Sequence, residues 1–320
     1  MNPAQVKVSI DPEEIRQKLK VKHLRVKSDF EEKHKKASDY LKSKNVDLGK
    51  VREHSAKLIT AGALAGGMAL SSPTNSTLAL LPPPNEILAK HAGDANVLPA
   101  VSKAVRLRNS LKEILPENPR PLTEQEERYL ERVIDELTGV PAKATLEGEH
   151  LNTTYGKIGA EQHLRRYPGD TNANHAPDPN EYGGNNPDEI LKEGMAPGLG
   201  AWGYFAPSKE ALTPELEETE RWYAVVQTLY LPDWDSRQPY LKDWYKYRKV
   251  LIVNTENGKA VVAGVADSGP AAWTGKHFGG SPEVMDYLGG PRYKKGPVII
   301  FFVDDPNNQV PLGPVEYSEV

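Results

Sequence analysis

The residue whose neighbours in the sequence most favour acid–base chemistry is a lone carboxylate, Asp267. It ends an apolar run and comes directly before the turn-forming residues Ser268-Gly269-Pro270. A carboxylic acid in apolar surroundings has a raised pKa, and it can then act as a general acid or base near neutral pH. The commoner role of an Asp before such a turn is to accept hydrogen bonds from backbone N–H groups. The pattern leaves both roles open.

Aromatic and basic side chains follow Asp267 closely in the sequence: Trp273, Lys276 and His277. Aromatic faces stack on the CH faces of sugars, so we expect Trp273 to line a binding groove and Lys276 and His277 to contact the substrate. A solvated loop is the alternative for His277. Trp244, which lies among several tyrosines, is the second aromatic candidate, with a place in the core as its alternative.

Earlier in the chain, Glu161 and His163 stand together in a Gly- and Ala-rich stretch. His163 could serve the site, or it could be a loop residue bonded to backbone. Glu161 and Asp304 are the candidates for a second carboxyl group, and the sequence does not place either of them in space. We expect Glu161 and His163 to contact the substrate.

The elements that must position Asp267 are predicted from the residues around it. The apolar run 250–253 is followed by Asn257-Gly258, which favours a type I′ hairpin turn, and by a second β-branched run, 260–266. Ser281 is a helix N-cap, with Pro at the first helical position, and Gly289 ends that short helix. Further apolar strands, predicted over 222–231 and 297–304, fit a small closed barrel.

The stretch 250–289 resembles the RlpA-like double-psi β-barrel family, which includes expansins, some endoglucanases and membrane-bound lytic transglycosylases. The matching residues are Asn254, Asn257-Gly258-Lys259, Val261-Val262, Asp267, Gly269-Pro270, Gly275-Lys276, Ser281 and Leu288-Gly289. The resemblance implies a groove carboxylate at Asp267 and an interaction with cell-wall polysaccharide. It also implies that cleavage, where it occurs, needs no second carboxylate in a lytic transglycosylase, because the 6-hydroxyl of the sugar attacks.

Two departures from the family pattern weaken the catalytic interpretation. Gly279 stands where the family usually has an Asp, two residues before the Ser of the short helix. The family His expected near Leu241 is absent, and His163 could replace it. These departures favour the alternative function, a non-catalytic glycan-binding or structural module on the same barrel.

Charge is distributed unevenly along the chain, which carries a net charge of −4. Residues 1–57 hold 15 Lys+Arg against 9 Asp+Glu, whereas the remaining residues hold 25 against 35. Nothing in this balance points to nucleic acid, and we predict no nucleic-acid partner. The absence of Cys excludes disulfides, thiol catalysis and Cys-ligated zinc.

An uncharged apolar run, 58–70, separates the basic start from the acidic body. It has the length of a signal-peptide core but is short for a spanning helix, which needs about 20 residues. We predict an export signal or membrane anchor here, and hence a cell-envelope location. A buried Ala/Gly helix or a loose linker is the alternative.

The His, Asp and Glu residues of 161–181 lack the short fixed spacing of zinc or calcium motifs, so we predict no metal and no cofactor. The fold class is predicted as α+β, with N-terminal helices and then a C-terminal six-stranded double-psi β-barrel. The expected function is binding of peptidoglycan or a related glycan, with cleavage by Asp267 left open. The predicted regions are a charged helical region (1–57), the apolar segment (58–72), a Pro-rich linker (73–100), a helical segment (101–145) and the barrel domain with its loop-rich start (150–320).

Overall fold

A computed structural model describes residues 81–91, 102–176 and 190–316. The chain divides into two units, Met1–Ser76 and Thr77–Val320, and all of these residues belong to the second unit. The predictions for the charged region 1–57 and the apolar segment 58–72 therefore lie outside the described residues. In the part of the chain that is described, no helix is both long and apolar enough to cross a membrane.

Three helices and then three short strands precede the first barrel strand. Further helices lie between the later strands. The helices are α1 (Pro84–Lys90), α2 (Lys103–Ile114), α3 (Glu124–Thr138), α4 (Pro214–Arg221), α5 (Trp234–Tyr245) and α6 (Pro282–Gly289). The strands are β1 (Ala142–Lys143), β2 (Thr145–Leu146), β3 (Glu149–His150), β4 (Tyr155–Ala160), β5 (Tyr223–Val226), β6 (Lys249–Asn254), β7 (Ala260–Ser268), β8 (Phe278–Gly280), β9 (Lys295–Val303) and β10 (Gly313–Pro314).

Six of these strands close into a barrel. Following the hydrogen-bonded neighbours, the order is β4, β9, β6, β7, β5, β8 and back to β4. The pairs β4/β8 and β5/β7 are parallel, and the other four pairs are antiparallel. The predicted α+β class, with helices followed by a six-stranded barrel, is confirmed, and the barrel is mixed in strand direction.

The predicted hairpin forms, but its turn differs from the prediction. Strands β6 and β7 pair in antiparallel register, and Gly258 has φ of 80°. Asn257 is not among the residues with positive φ, so the type I′ prediction is wrong. The side chain of Asn257 explains the difference: its Nδ2 donates to the Leu288 carbonyl at 2.7 Å and its Oδ1 accepts from Lys259 N–H at 2.9 Å.

Other local predictions hold with small shifts. Ser281 caps α6, since its Oγ accepts from Val284 N–H at 3.2 Å. The helix includes Gly289, and the positive φ of 86° falls one residue later, at Gly290. The strand predicted over 222–231 is shorter, because β5 ends at Val226 and a 3₁₀ turn, Thr228–Tyr230, follows.

Two apolar layers lie on either side of the barrel wall. The interior is filled by alternate strand residues such as Ile158, Val265 and Phe302. The outer face of the wall packs against the helices, with Leu251 and Phe301 in the same cluster as the α2 and α3 side chains. A capping box of Thr123 and Glu126 begins α3.

A further helix lies inside the predicted Pro-rich linker. Pro84 occupies the first turn of α1, where a missing N–H is tolerated. Ile87 and Leu88 of this helix are buried in the same cluster as α2 and α3. The described part of the linker therefore contributes to the core.

Candidate functional site

One row of residues runs across four barrel strands and defines the candidate site. Asp267 on β7 lies opposite Val225 on β5, Val225 lies opposite Gly279 on β8, and Gly279 lies opposite Gly159 on β4. Residues directly opposite each other point to the same face of a sheet. Val225 belongs to neither the interior cluster nor the one on α2 and α3, but to a third apolar cluster with Leu164, Phe205 and Tyr223, so this row faces outward.

A β-bulge turns Asp267 to that outer face. On β7, Val261, Ala263 and Val265 point into the barrel, and strict alternation would place residue 267 there as well. The register between β5 and β7 shifts, so that Ala224 pairs with Val265 whereas Val225 pairs with Asp267. A bulge of this kind re-aims a side chain, here the carboxylate.

The carboxylate of Asp267 is half-buried and bonded to backbone. Ser268 N–H donates to its Oδ1 at 2.7 Å, and Ala201 N–H also donates to it. Burial raises the pKa of Asp267, although these two hydrogen bonds oppose the rise. Among the described residues, no cation forms an ion pair with it. Asp267 therefore accepts hydrogen bonds from backbone N–H groups at the turn and also has a raised pKa.

Glu161 enters the row from the end of β4. Its side chain lies over Gly279, where a Cβ would stand 2.6 Å from Glu161 Oε1. Lys276 lies over Gly159 in the same way, and Lys276 Nζ is 3.1 Å from Glu161 Oε1. Burial raises the pKa of Glu161, Lys276 opposes that rise, and the charge of Asp267 adds to it. The two glycines thus make room for an ion pair.

The loop 269–277 joins β7 to β8, beginning two residues after Asp267 and including Lys276 near its end. A side chain that the sequence did not single out holds it: Gln227 Nε2 donates to the carbonyls of Pro270 at 3.1 Å and Lys276 at 3.3 Å. Gln227 is itself buried and accepts from Asn152 Nδ2 at 3.1 Å. The only sequence signal for this role is a polar residue at the end of an apolar strand.

Exposed large apolar side chains, two of them aromatic, lie on this loop and on the neighbouring turn. Trp273 is 89% exposed, Leu229 58% and Tyr230 45%. Ala272 N–H donates to Tyr230 Oη at 2.9 Å, which joins the two turns. Trp244 lies elsewhere, buried on α5 with its ring 5.1 Å from that of Phe302.

His277 is fixed by backbone at the start of β8. Its Nδ1 accepts from Lys157 N–H at 3.1 Å, so the ring proton sits on Nε2. Burial lowers the pKa of His277, and the charges of Lys157 and Lys295 lower it further. His277 is therefore a neutral donor beside two cations.

His163 lies in a separate buried network. The side chain has no exposed surface, and its Nε2 is 3.1 Å from Glu283 Oε1. Its ring lies 4.7 Å from that of His175, which bonds Glu220 at 2.7 Å and Asp170 at 2.9 Å. Burial opposes the charged form, but Glu283 raises the pKa of His163 overall. This network is closed to substrate.

The remaining sequence candidates fall outside the row. Asp304 follows β9 at the end remote from Lys295, the residue that pairs with Gly159. A strand of nine residues spans about 30 Å, so Asp304 is far from Gly159 and from the Glu161 end of the row. Leu241, where the family His was expected, is buried on α5. Within the described ranges, no three His, Asp or Glu side chains are grouped so that they could hold a metal.

Comparison with models of protein families finds no match to this chain, and comparison with curated proteins finds no similar one.

Proposed function

We propose that this chain is a cell-envelope protein that binds peptidoglycan or a related glycan and cleaves it with Asp267 as the general acid. The observation that carries the proposal is the bulge, which brings Asp267 out of the barrel interior onto a face shared with Glu161 and Lys276. Burial and the lack of a paired cation among the described residues raise the pKa of Asp267, which favours a carboxyl group that donates a proton to a leaving oxygen.

The barrel supports the family resemblance in outline. It has six strands, it contains the predicted hairpin, and Asp267 stands at the end of β7 before the Gly269-Pro270 turn. On this basis we propose the double-psi topology of the RlpA-like family for residues 150–320. The proposed location rests on the apolar run 58–70 and on the charge asymmetry around it.

The exposed side chains of Trp273, Tyr230 and Leu229 support a polysaccharide ligand. A flat aromatic side chain that is almost fully exposed is costly in water, and it is typical of a surface that binds an amphipathic partner. Sugar rings are amphipathic in this sense, because their CH faces are apolar and stack on aromatic rings. The joined turns would hold Trp273 and Tyr230 against neighbouring sugars of one chain, while His277 and Lys276 donate to hydroxyl groups.

The experiment compares wild type with Asp267→Asn and Trp273→Ala on purified peptidoglycan, with released fragments separated by mass and bound protein measured by co-sedimentation. Asp267→Asn should bind as wild type does and lose about two to four orders of magnitude in cleavage rate. Trp273→Ala should weaken binding. Equal release by wild type and Asp267→Asn would exclude Asp267 as the acid.

A second candidate function is a non-catalytic glycan-binding module, and the observation in its favour is Gly279, which lacks the family carboxylate. In that case neither wild type nor Asp267→Asn would release fragments, yet both would co-sediment with the glycan. Trp273→Ala would then weaken binding more than Asp267→Asn does, because contact area rather than a proton would matter.

A further inference from the structure

Two half-buried carboxylates share the outward row, and they come from different strands. Asp267 ends β7, and Glu161 follows β4 and lies over Gly279 on β8. We infer that Glu161 is the second catalytic carboxylate and activates a water molecule, so that this protein is a hydrolase that inverts the configuration at the cleaved sugar. This inference rests on the proposed function, because it presupposes that Asp267 cleaves a glycan.

The glycines explain why an acid at position 161 takes this place. A side chain at 279 would overlap Glu161, since even a Cβ there would lie 2.6 Å from Oε1. An acid can therefore occupy this part of the row from β8 or from β4, but not from both. The Gly at 279, which by sequence alone argues against catalysis, is what admits the carboxylate of Glu161.

The strand order sets the separation of the two acids. From Asp267 through Val225 to Gly279 is two strand spacings, or about 10 Å at the usual spacing of about 4.8 Å. Inverting glycosidases hold their two carboxyl groups about 6.5–9.5 Å apart to leave room for water, whereas retaining ones hold them about 5–5.5 Å apart. Because the carboxyl group of Glu161 lies over Gly279, it stands about two strand spacings from Asp267, which is nearer to the first geometry than to the second.

The neighbouring charges indicate which of the two carboxyl groups is the acid and which is the base. Lys276 Nζ is 3.1 Å from Glu161 Oε1 and favours the ionised carboxylate, which suits a base. Asp267 has no such cation among the described residues and suits the acid. In the step, Asp267 gives its proton to the glycosidic oxygen as the bond from C1 to that oxygen breaks. Water forms the new bond to C1 and gives its proton to Glu161, and solvent restores both groups.

The test uses the full chain, peptidoglycan and water enriched in ¹⁸O. Hydrolysis places one ¹⁸O at the new reducing end, whereas lytic transglycosylation gives a 1,6-anhydro product without ¹⁸O. Glu161→Gln should cut the rate by about 10²–10⁴ while leaving co-sedimentation and the melting temperature close to those of wild type. Asp304→Asn, a carboxylate at the far end of β9, is the matched control and should keep full activity.

Labelled reducing ends, an initial product of inverted configuration by proton NMR, and loss of rate in Glu161→Gln together support the inference. An anhydro product overturns it while supporting the proposed cleavage by Asp267. Full activity of Glu161→Gln also overturns it. If wild type binds the glycan and releases nothing, both this inference and the cleavage are wrong, and the binding function alone stands.

Discussion

Lys276 lies across the backbone of Gly159, so closely that a Cβ added at Gly159 would stand 2.5 Å from Lys276 Cε. From there its ammonium reaches both the carbonyl of Ala160, at 2.8 Å, and Glu161 Oε1, at 3.1 Å. A residue without a side chain thus sets where the cation meets the carboxylate.

Gly159→Ala should displace Lys276 and break its ion pair with Glu161. Because Lys276 opposes the rise in the pKa of Glu161, its displacement should raise that pKa further. Carbon NMR of labelled glutamate carboxyls against pH measures the change. Gly198→Ala is the control, since nothing lies within 4 Å of a Cβ there. An unchanged Glu161 pKa in Gly159→Ala would show that the contact is relieved without moving Lys276.

Asp267→Asn should stabilise the protein at neutral pH. The pKa of Asp267 is raised in the folded state, so folding favours its protonated form and is opposed by the charge that forms as pH rises. The melting temperature at pH 7 should therefore rise by a few degrees in Asp267→Asn, and the gain should vanish at a pH below the ordinary pKa of Asp.

Asp305→Asn should change the melting temperature at pH 7 in the opposite direction to Asp267→Asn. Burial opposes its charge, but Lys249 and the N–H groups of Gln309 and Val310 lower the pKa of Asp305 overall. Its contribution to stability is present above the ordinary Asp pKa and is lost as pH falls through the lowered value. Asp305→Asn should therefore melt below wild type at pH 7 and approach it in acid. The same sign in both variants would contradict this account of Asp267.

Removing two cations should raise the pKa of His277. Burial alone keeps that pKa low, and Lys157 and Lys295 lower it further. In the double variant Lys157→Ala, Lys295→Ala, the pKa should move up toward the ordinary His value without reaching it, because burial remains. Proton NMR titration of the imidazole measures this, with Lys246→Ala as a control. No movement would mean that burial alone sets the pKa.

The barrel should not fold without α2 and α3. Leu107, Leu130 and Ile134 are fully buried together with Leu251 and Phe301 of the barrel wall. A fragment that begins at Leu146 exposes this apolar layer and should aggregate. In the whole chain, Leu130→Ala should lower the free energy of unfolding by about 2–5 kcal/mol, seen as one shifted urea transition. A soluble fragment that melts cooperatively would show instead that the helices form a separate unit.

Local patterns predicted the local structure well. The hairpin and the Ser281 cap depend on residues a few positions apart, and they form as expected. Even here, the turn at Asn257 differs from the predicted type I′ turn. The Asn257 side chain donates to the carbonyl of Leu288, which is remote in the sequence.

The candidate site depends on contacts between distant residues. Glu161 and Gly279 are far apart in the chain, and only the parallel register of β4 and β8 brings them together. The glycine at position 279 was readable from the sequence, but the carboxylate of Glu161 that lies over it was not. The burial of Trp244 and His163 likewise follows from the packing of α5 and α6 on the barrel, which no single motif encodes.

The bulge in β7 decides on which face of the barrel wall the Asp267 side chain lies. Side chains alternate between the two faces of a strand, so if β7 kept all its residues but paired with β5 without the bulge, residue 267 would belong to the inward set. The same acid, in an unchanged turn sequence, would then face Val226 and Phe278 in the apolar interior. Two chains of this kind with identical Asp-Ser-Gly-Pro sequences could therefore differ in whether solvent reaches the acid, and the pairing of the Asp strand with β5 would tell them apart.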